Sequence, residues 1–115
     1  MTEPDRIRLR HIVDACDAAR HFIAGKDRRD LDNDLEIVFA LLHAITIIGE
    51  AGANVSDELR KRHPEVPWPA IVAMRNRLVH GYFDVNLDRV WETATVDTPK
   101  LSEQAKWILA TDEPS

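Results

Sequence analysis

The chain has 115 residues, of which 44% are apolar and 30% charged, which is the size and composition of one globular domain. Cys16 is the only cysteine, which excludes an intramolecular disulfide and a multi-cysteine metal site. The formal net charge of -5 argues against binding nucleic acid through bulk charge, so any RNA contact must come from a local group of basic residues.

The N-terminal residues MTEPDRIRLR lack the apolar core of a secretory signal. The sequence predicts no membrane-spanning helix, because we expect no apolar run to approach the roughly 20 residues that one needs. We therefore expect one cytoplasmic domain, residues 1–115, that does not enter a membrane.

The first predicted helix covers residues 4–24, where apolar side chains recur at helical spacing and Gly25 is suited to the exit. The second begins after the polar run KDRRDLDND, where Asp32 or Asn33 could cap it. Gly49 and Gly52, near its end, would let a neighbouring backbone come close.

The second helix is apolar on two sides, and both sides need cover. One side carries Leu35, Val38, Phe39, Leu42, Ile45 and Gly49. The other carries Ile37, Leu41, Ala44, Ile48 and Ala51. Since so short a chain has little else to cover the second side, we expect another copy of the protein to cover it, in a homodimer.

The later segments are shorter. Residues 54–69 include the proline-rich run HPEVPWP and predict a loop with one helical turn. A third helix is predicted from near Pro69 through AIVAMRNRLVH to Gly81, a fourth over residues 86–94, and a fifth that Pro99 opens. No segment shows the alternation of a strand, so the sequence predicts an all-α bundle of about five helices.

The segment MRNRLVHGYFDV, residues 74–85, has the strongest chemical character. In a continuous helix Asn76 and His80 would share a face, so the amide could hold the imidazole while Arg75 lies beside it. A base near neutral pKa and a permanent cation suit phosphodiester chemistry. From spacing alone, however, an Arg and a His five residues apart often arise by chance, and His80 could equally cap a helix.

The same segment resembles the signature of the HEPN superfamily, an Arg and a His separated by four to six residues. Arg75 and His80 match it with four residues between them, and Tyr82 makes the segment similar to the HepT branch, whose motif continues from the His through one residue to a Tyr. The resemblance runs from about residue 5 to residue 110 and includes IIGEA (47–51), VPW (66–68) and VW (90–91). Pro69 departs from it, because family members often carry a basic residue directly after the tryptophan.

This resemblance implies a metal-independent endoribonuclease with a HEPN-type bundle, in which the motifs of two subunits face one cleft. Arg75 and His80 would be the catalytic pair, and Asn76 would orient His80. Glu50 would line the same cleft, although a helix-end pairing with an Arg explains it equally well. The implied substrate is RNA and not DNA, with no cofactor and no metal.

The resemblance also implies a type VII-like toxin–antitoxin pair, in which a minimal nucleotidyltransferase antitoxin attaches AMP to Tyr82. A tyrosine packed at a helix end is the simpler alternative. Two other functions stay open: a non-catalytic helical module that partners a separately encoded nucleotidyltransferase, and a degenerate nuclease kept as a regulator.

Overall fold

Seven α-helices form most of the protein, for which a computed structural model describes residues 1–80 and 84–112, with the backbone alone at residue 80. The helices are α1 (Glu3–Ile23), α2 (Asp30–Asn33), α3 (Leu35–Ala53), α4 (Asp57–Arg62), α5 (Trp68–Val72), α6 (Leu87–Glu92) and α7 (Thr98–Thr111). A 3₁₀ turn (Arg75–Arg77) follows α5, and a π-helical segment (Thr93–Asp97) joins α6 to α7. Two short strands, β1 (Val79–His80) and β2 (Asp84–Val85), complete the described chain. The predicted all-α fold is confirmed.

The core lies where α1 packs against α3 and α7. Helix α1 begins as predicted at Pro4 in its first turn, with the Thr2 hydroxyl accepting a hydrogen bond from the Asp5 amide at 3.3 Å. It ends before Gly25, whose φ of 74° is the left-handed conformation that glycine adopts without strain. Leu9 and Ile12 on its inner face are fully buried.

The cap of α3 differs from the prediction. Asp34, rather than Asp32 or Asn33, accepts the hydrogen bond from the Ile37 amide, at 3.2 Å. Asp32 and Asn33 cannot serve because they belong to α2, whereas Asp34 has the extended backbone that an N-cap requires.

We expected a second copy of the protein to cover the side of α3 that carries Ile37, Leu41, Ala44, Ile48 and Ala51. For that side the expectation is wrong. Leu41, Ala44, Ile48 and Ala51 are buried within a single chain, because α1 packs along α3. The large apolar side chains that α3 leaves exposed belong to the first side, at the beginning of the helix: Leu35 and Phe39, with 63% and 59% of their surface accessible.

Helix α3 is also long and apolar enough to cross a membrane, contrary to our reading of the sequence. Half of its most apolar stretch is buried inside the protein, as in the core helix of a globular domain. That the protein does not enter a membrane stays a prediction.

The third helix is much shorter than predicted. Helix α5 ends at Val72 and the chain continues as the 3₁₀ turn and then β1, which pairs antiparallel with β2. The amide of Asn86 donates to the carbonyl of Leu78 at 2.7 Å. Residues 78–80 therefore form hydrogen bonds with residues later in the chain instead of continuing the helix. The strands, which we did not predict, replace the last turns of the predicted third helix.

The predicted fourth and fifth helices form one continuous helical run from Leu87 to Thr111. Pro99 has no amide hydrogen and would clash with a carbonyl one turn earlier in a regular helix. The wider π-helical turn precedes it, and the Thr98 hydroxyl donates to the carbonyl of Ala94 at 2.9 Å. Pro99 therefore lies in the first turn of α7, as predicted, although a π-helical segment rather than a loop joins α7 to α6.

The end of α7 is tied to the loop after α4. His63 Nε2 lies 2.7 Å from a carboxylate oxygen of Asp112, and Arg62 donates to the same carboxylate at 2.9 Å. Burial alone would raise the pKa of Asp112, but the hydrogen bond with His63 and the charge of Arg62 lower it. The helical turn expected between residues 54 and 69 is confirmed as α4.

Candidate active site

The motif begins on a surface turn that is anchored at both ends. Met74 and Leu78 are buried, with 8% and 1% of their surface exposed, whereas Arg75, Asn76 and Arg77 between them are all exposed. A 3₁₀ turn places successive side chains about 120° apart, so these three exposed side chains leave the turn in different directions. Arg75 is thereby accessible to solvent at the start of the motif.

The second half of the motif lies on β1, which packs beside the 3₁₀ turn. Val79 pairs with Val85 and His80 with Asp84 in the antiparallel register. The structure therefore brings the backbone of His80 next to the turn that carries Arg75. The side chain of His80, and Tyr82 as a whole, lie outside the described residues, so their roles stay predictions.

The route by which we expected Asn76 to orient His80 is wrong. That expectation needed both residues on one face of a continuous helix, but Asn76 lies in the 3₁₀ turn and His80 in β1. Any contact between the two side chains must be made across the turn and the strand. That Asn76 orients His80 stays a prediction, now from the 3₁₀ turn rather than from a shared helix face.

Arg75 has the electrostatic freedom that a substrate-binding cation needs. Within residues 1–80 and 84–112 its guanidinium forms neither a hydrogen bond nor an ion pair, and it is exposed. By contrast, Arg28 is held by Asp32 and Asp88, whose hydrogen bonds raise its pKa. An unpaired guanidinium keeps its donors for a phosphate.

Glu50 is exposed on α3 and lines a shallow groove of about 170 Å³ between α1 and α3. Arg8, His11 and Asn54 line the same groove, whereas no motif residue among those that the structure describes does so. Within one chain Glu50 thus faces a different surface. Its predicted place in a cleft shared with Arg75 depends on a second copy and stays a prediction.

A larger cavity, of about 340 Å³, opens beside the 3₁₀ turn, between α5 and the run from α6 to α7. We call it the Arg77 cavity. Arg77, Arg89 and Lys100 contribute cations to its lining, and Glu92 and Asp97 contribute carboxylates. The sequence did not indicate the last four of these residues, because only the packing of the run from α6 to α7 beside the 3₁₀ turn brings them together.

The charges in the Arg77 cavity influence one another. Partial burial and the neighbouring charge of Glu92 raise the pKa of Asp97, and the charges of Arg77 and Lys100 oppose that shift. As for metals, no group of three or more His, Cys, Asp or Glu side chains within the described ranges 1–80 and 84–112 could hold an ion. That the protein needs no metal stays a prediction.

Comparison with known proteins gives consistent matches. Residues 12–108 match the family described as "Ribonuclease HepT-like". The chain is 38% identical over 101 residues to "Putative RNase TTE0752" of Caldanaerobacter subterraneus subsp. tengcongensis, covering 88% of this chain and 90% of that protein. It is 34% identical over 93 residues to "Probable ribonuclease HepT" of Thermococcus cleftensis, covering 81% and 84%. No solved structure matches the chain.

Proposed function

Since this chain belongs to the HepT-like ribonuclease family, we propose that it is an endoribonuclease toxin that cleaves RNA without a metal ion. The observation that carries the proposal is the exposed guanidinium of Arg75, which forms neither a hydrogen bond nor an ion pair within the described residues, on the turn beside β1, the strand that ends at His80. The donors of this guanidinium are therefore available to a phosphate. Its place five residues before His80 distinguishes Arg75 from the other exposed arginines of the described chain.

In the proposed reaction, His80 removes the proton from a ribose 2′-hydroxyl, and the 2′-oxygen attacks the adjacent phosphorus. Arg75 stabilises the negative charge that builds up on the phosphate oxygens. The bond from phosphorus to the 5′-oxygen breaks, and the protonated His80 of a second subunit gives that oxygen a proton. The products are a 2′,3′-cyclic phosphate and a 5′-hydroxyl. DNA lacks the nucleophile and is not cut.

The purified full chain is expected to cleave RNA in the presence of EDTA. His80→Ala should lower the rate about 10²- to 10⁴-fold, the usual contribution of a general acid–base group. Arg75→Ala should lower it about 10²-fold or more, because it removes transition-state charge stabilisation. Cleavage is followed by gel electrophoresis of a labelled transcript, and phosphatase-resistant ends identify the cyclic phosphate.

Two control variants each replace one histidine or one arginine outside the motif with alanine. His21→Ala removes an exposed histidine of α1, and Arg29→Ala removes an arginine whose side chain is 86% exposed. Both should cleave at the wild-type rate. Loss of cleavage in EDTA, or full activity of the folded His80→Ala protein, would rule out this mechanism.

The proposal includes a homodimer, because the reaction uses a His80 from each of two subunits. Leu35 and Phe39 support it, since large apolar side chains with more than half of their surface exposed are suited to burial against another chain. Glu50 could then enter the shared cleft from the α3 surface, and Asn76 could orient His80 from the 3₁₀ turn.

The proposed control of the toxin is AMP attachment to Tyr82 by a partner nucleotidyltransferase. Tyr82 is two residues from His80, so a bulky anionic group on its hydroxyl would block the cleft and repel an RNA phosphate. Expression of the chain alone should arrest cell growth, and co-expression of the nucleotidyltransferase should restore it. A non-catalytic binding module would leave growth unchanged in both cases.

A further inference from the structure

The Arg77 cavity combines a buried apolar lining with a charged rim, and nothing in the proposed cleavage step uses it. Its volume of about 340 Å³ is near the lower limit of small-molecule pockets and suits one nucleotide rather than several. Buried apolar side chains line its inner part, namely Ile71, Met74, Leu78 and Leu101. A flat base can lie against such a surface with its edges left for polar groups.

The rim of the cavity carries the polar groups that a nucleotide needs. Arg77, Arg89 and Lys100 come from the 3₁₀ turn, α6 and α7 and are all exposed. In the part of the chain that the structure describes, none of the three forms a direct ion pair. These three cations outnumber the two carboxylates of the same cavity, which gives its rim a local positive charge on a protein whose net charge is -5.

The two carboxylates favour particular bases. Glu92 and Asp97 line the same cavity and can only accept hydrogen bonds when ionised. Adenine and cytosine carry exocyclic amino groups that donate to a carboxylate, whereas uracil presents a carbonyl oxygen at the matching position. The cavity should therefore prefer adenine or cytosine to uracil.

The cavity also lies at the right place for a substrate contact. Arg77 is two residues from Arg75 on the same 3₁₀ turn, so their Cα atoms are separated by only about 4 Å along its axis. We propose that the Arg77 cavity holds an unstacked, amino-bearing base of the RNA, together with its phosphate, close to the phosphate bound at Arg75. The identity of the ligand as RNA rests on the proposed function.

The test measures RNA binding separately from cleavage. Fluorescein-labelled 2′-O-methyl oligo-A, oligo-C and oligo-U cannot be cut, because they lack the free 2′-hydroxyl, and fluorescence anisotropy gives their affinities over a range of salt concentrations. The wild-type chain should bind oligo-A and oligo-C at least about 5-fold more tightly than oligo-U.

Two cation variants and one matched control test the phosphate contacts. Lys100→Gln and Arg89→Gln should each weaken binding of oligo-A about 5-fold and reduce the salt slope of log K by about 0.7. Lys61→Gln removes a lysine that is also exposed but lies on α4 and does not line the cavity, and this variant should bind as the wild type does. Binding by both cavity variants that equals that of Lys61→Gln would overturn the inference.

Two carboxylate variants test the base preference. Asp97→Asn and Glu92→Gln introduce an amide that can donate to uracil, so each should narrow the preference for oligo-A over oligo-U. An unchanged preference in both variants would overturn the inference, as would 5′-AMP binding as tightly as oligo-A. Circular dichroism establishes that each variant is folded.

These outcomes are distinguishable from failure of the proposed function. If the wild-type chain binds the oligonucleotides as predicted but cuts no RNA, the ribonuclease proposal is wrong and the cavity remains an RNA-binding site. If the chain cuts RNA while the cavity variants bind and cut normally, the cavity inference is wrong and the ribonuclease proposal stands.

Discussion

Cys16 lies on the buried face of α1, with none of its surface exposed. Burial, and secondarily the negative charge of Asp17, raises the pKa of its thiol to about 12. A thiol reacts as the thiolate, so both the burial and the raised pKa protect Cys16 from alkylation and oxidation in the folded protein. A chemically reactive residue type is here an inert part of the core.

We predict that a thiol reagent at pH 8 leaves Cys16 unlabelled in the folded protein and labels it at the rate of unfolding in urea. Stability should fall as the pH rises above about 9, because the unfolded thiol then ionises while the folded one stays protonated until about pH 12. Cys16→Ala removes both effects and serves as the control. Rapid labelling under native conditions would contradict the burial of this side chain.

At the scale of elements, the contact between α3 and α5 positions the motif, because α5 leads directly into the 3₁₀ turn. Two glycines of α3 allow α5 to come close, as the sequence predicted. A Cβ atom at Gly49 would lie 3.4 Å from the carbonyl oxygen of Val72, whereas one at Gly52 would lie only 2.8 Å from the Ile71 Cγ2 atom. The two sites are therefore a matched pair that differs mainly in available space.

Gly52→Ala should lower the free energy of unfolding by about 1–3 kcal/mol, since a methyl group must displace the fully buried Ile71. Gly49→Ala should change it by less than about 1 kcal/mol, because its ordinary contact is offset by the gain in helix propensity. Urea denaturation measures both. Equal destabilisation by the two variants would show that Ile71 does not lie tightly against Gly52. Gly52→Ala should also slow RNA cleavage, by displacing the turn that follows α5.

At the scale of the whole molecule, one chain covers most of its own core but leaves the start of α3 uncovered. Phe39→Glu should convert the proposed dimer to monomer, because it places a charge in the centre of the apolar surface that we expect a second copy to bury. Analytical ultracentrifugation measures the change, and RNA cleavage should fall with it, since each site needs two subunits.

Val96→Glu is the matched control for this prediction. Val96 is 59% exposed, the same fraction as Phe39, but lies on the π-helical segment. The Val96→Glu protein should stay dimeric and active. A wild-type chain that sediments as a monomer at all concentrations, yet cuts RNA, would exclude the two-subunit mechanism.

Much of the helical architecture could be predicted from the sequence, because its signals are local. Apolar spacing over residues 4–24, the exit at Gly25 and the small residues Gly49 and Gly52 all have the structural roles that we assigned to them. The motif at Arg75 and His80 could also be singled out, but only through its resemblance to the HEPN signature, since spacing alone does not distinguish it from chance; the roles of its residues stay predictions. The cap at Asp34 was missed by one or two positions because several neighbouring residues could fill that role.

Only the tertiary structure decided how the motif is built and what lies beside it. The third helix stops at Val72 because Leu78 and His80 pair with residues that follow later in the chain. The Arg77 cavity forms because Asp97 and Lys100, twenty or more residues after Arg77, pack next to it. The spacing of residues along the chain does not predict such contacts, because the segments that make them meet only when the chain is folded. The sequence by itself therefore determined the helices and the reactive residue types, and the packing of α3, α5 and α7 determined their arrangement.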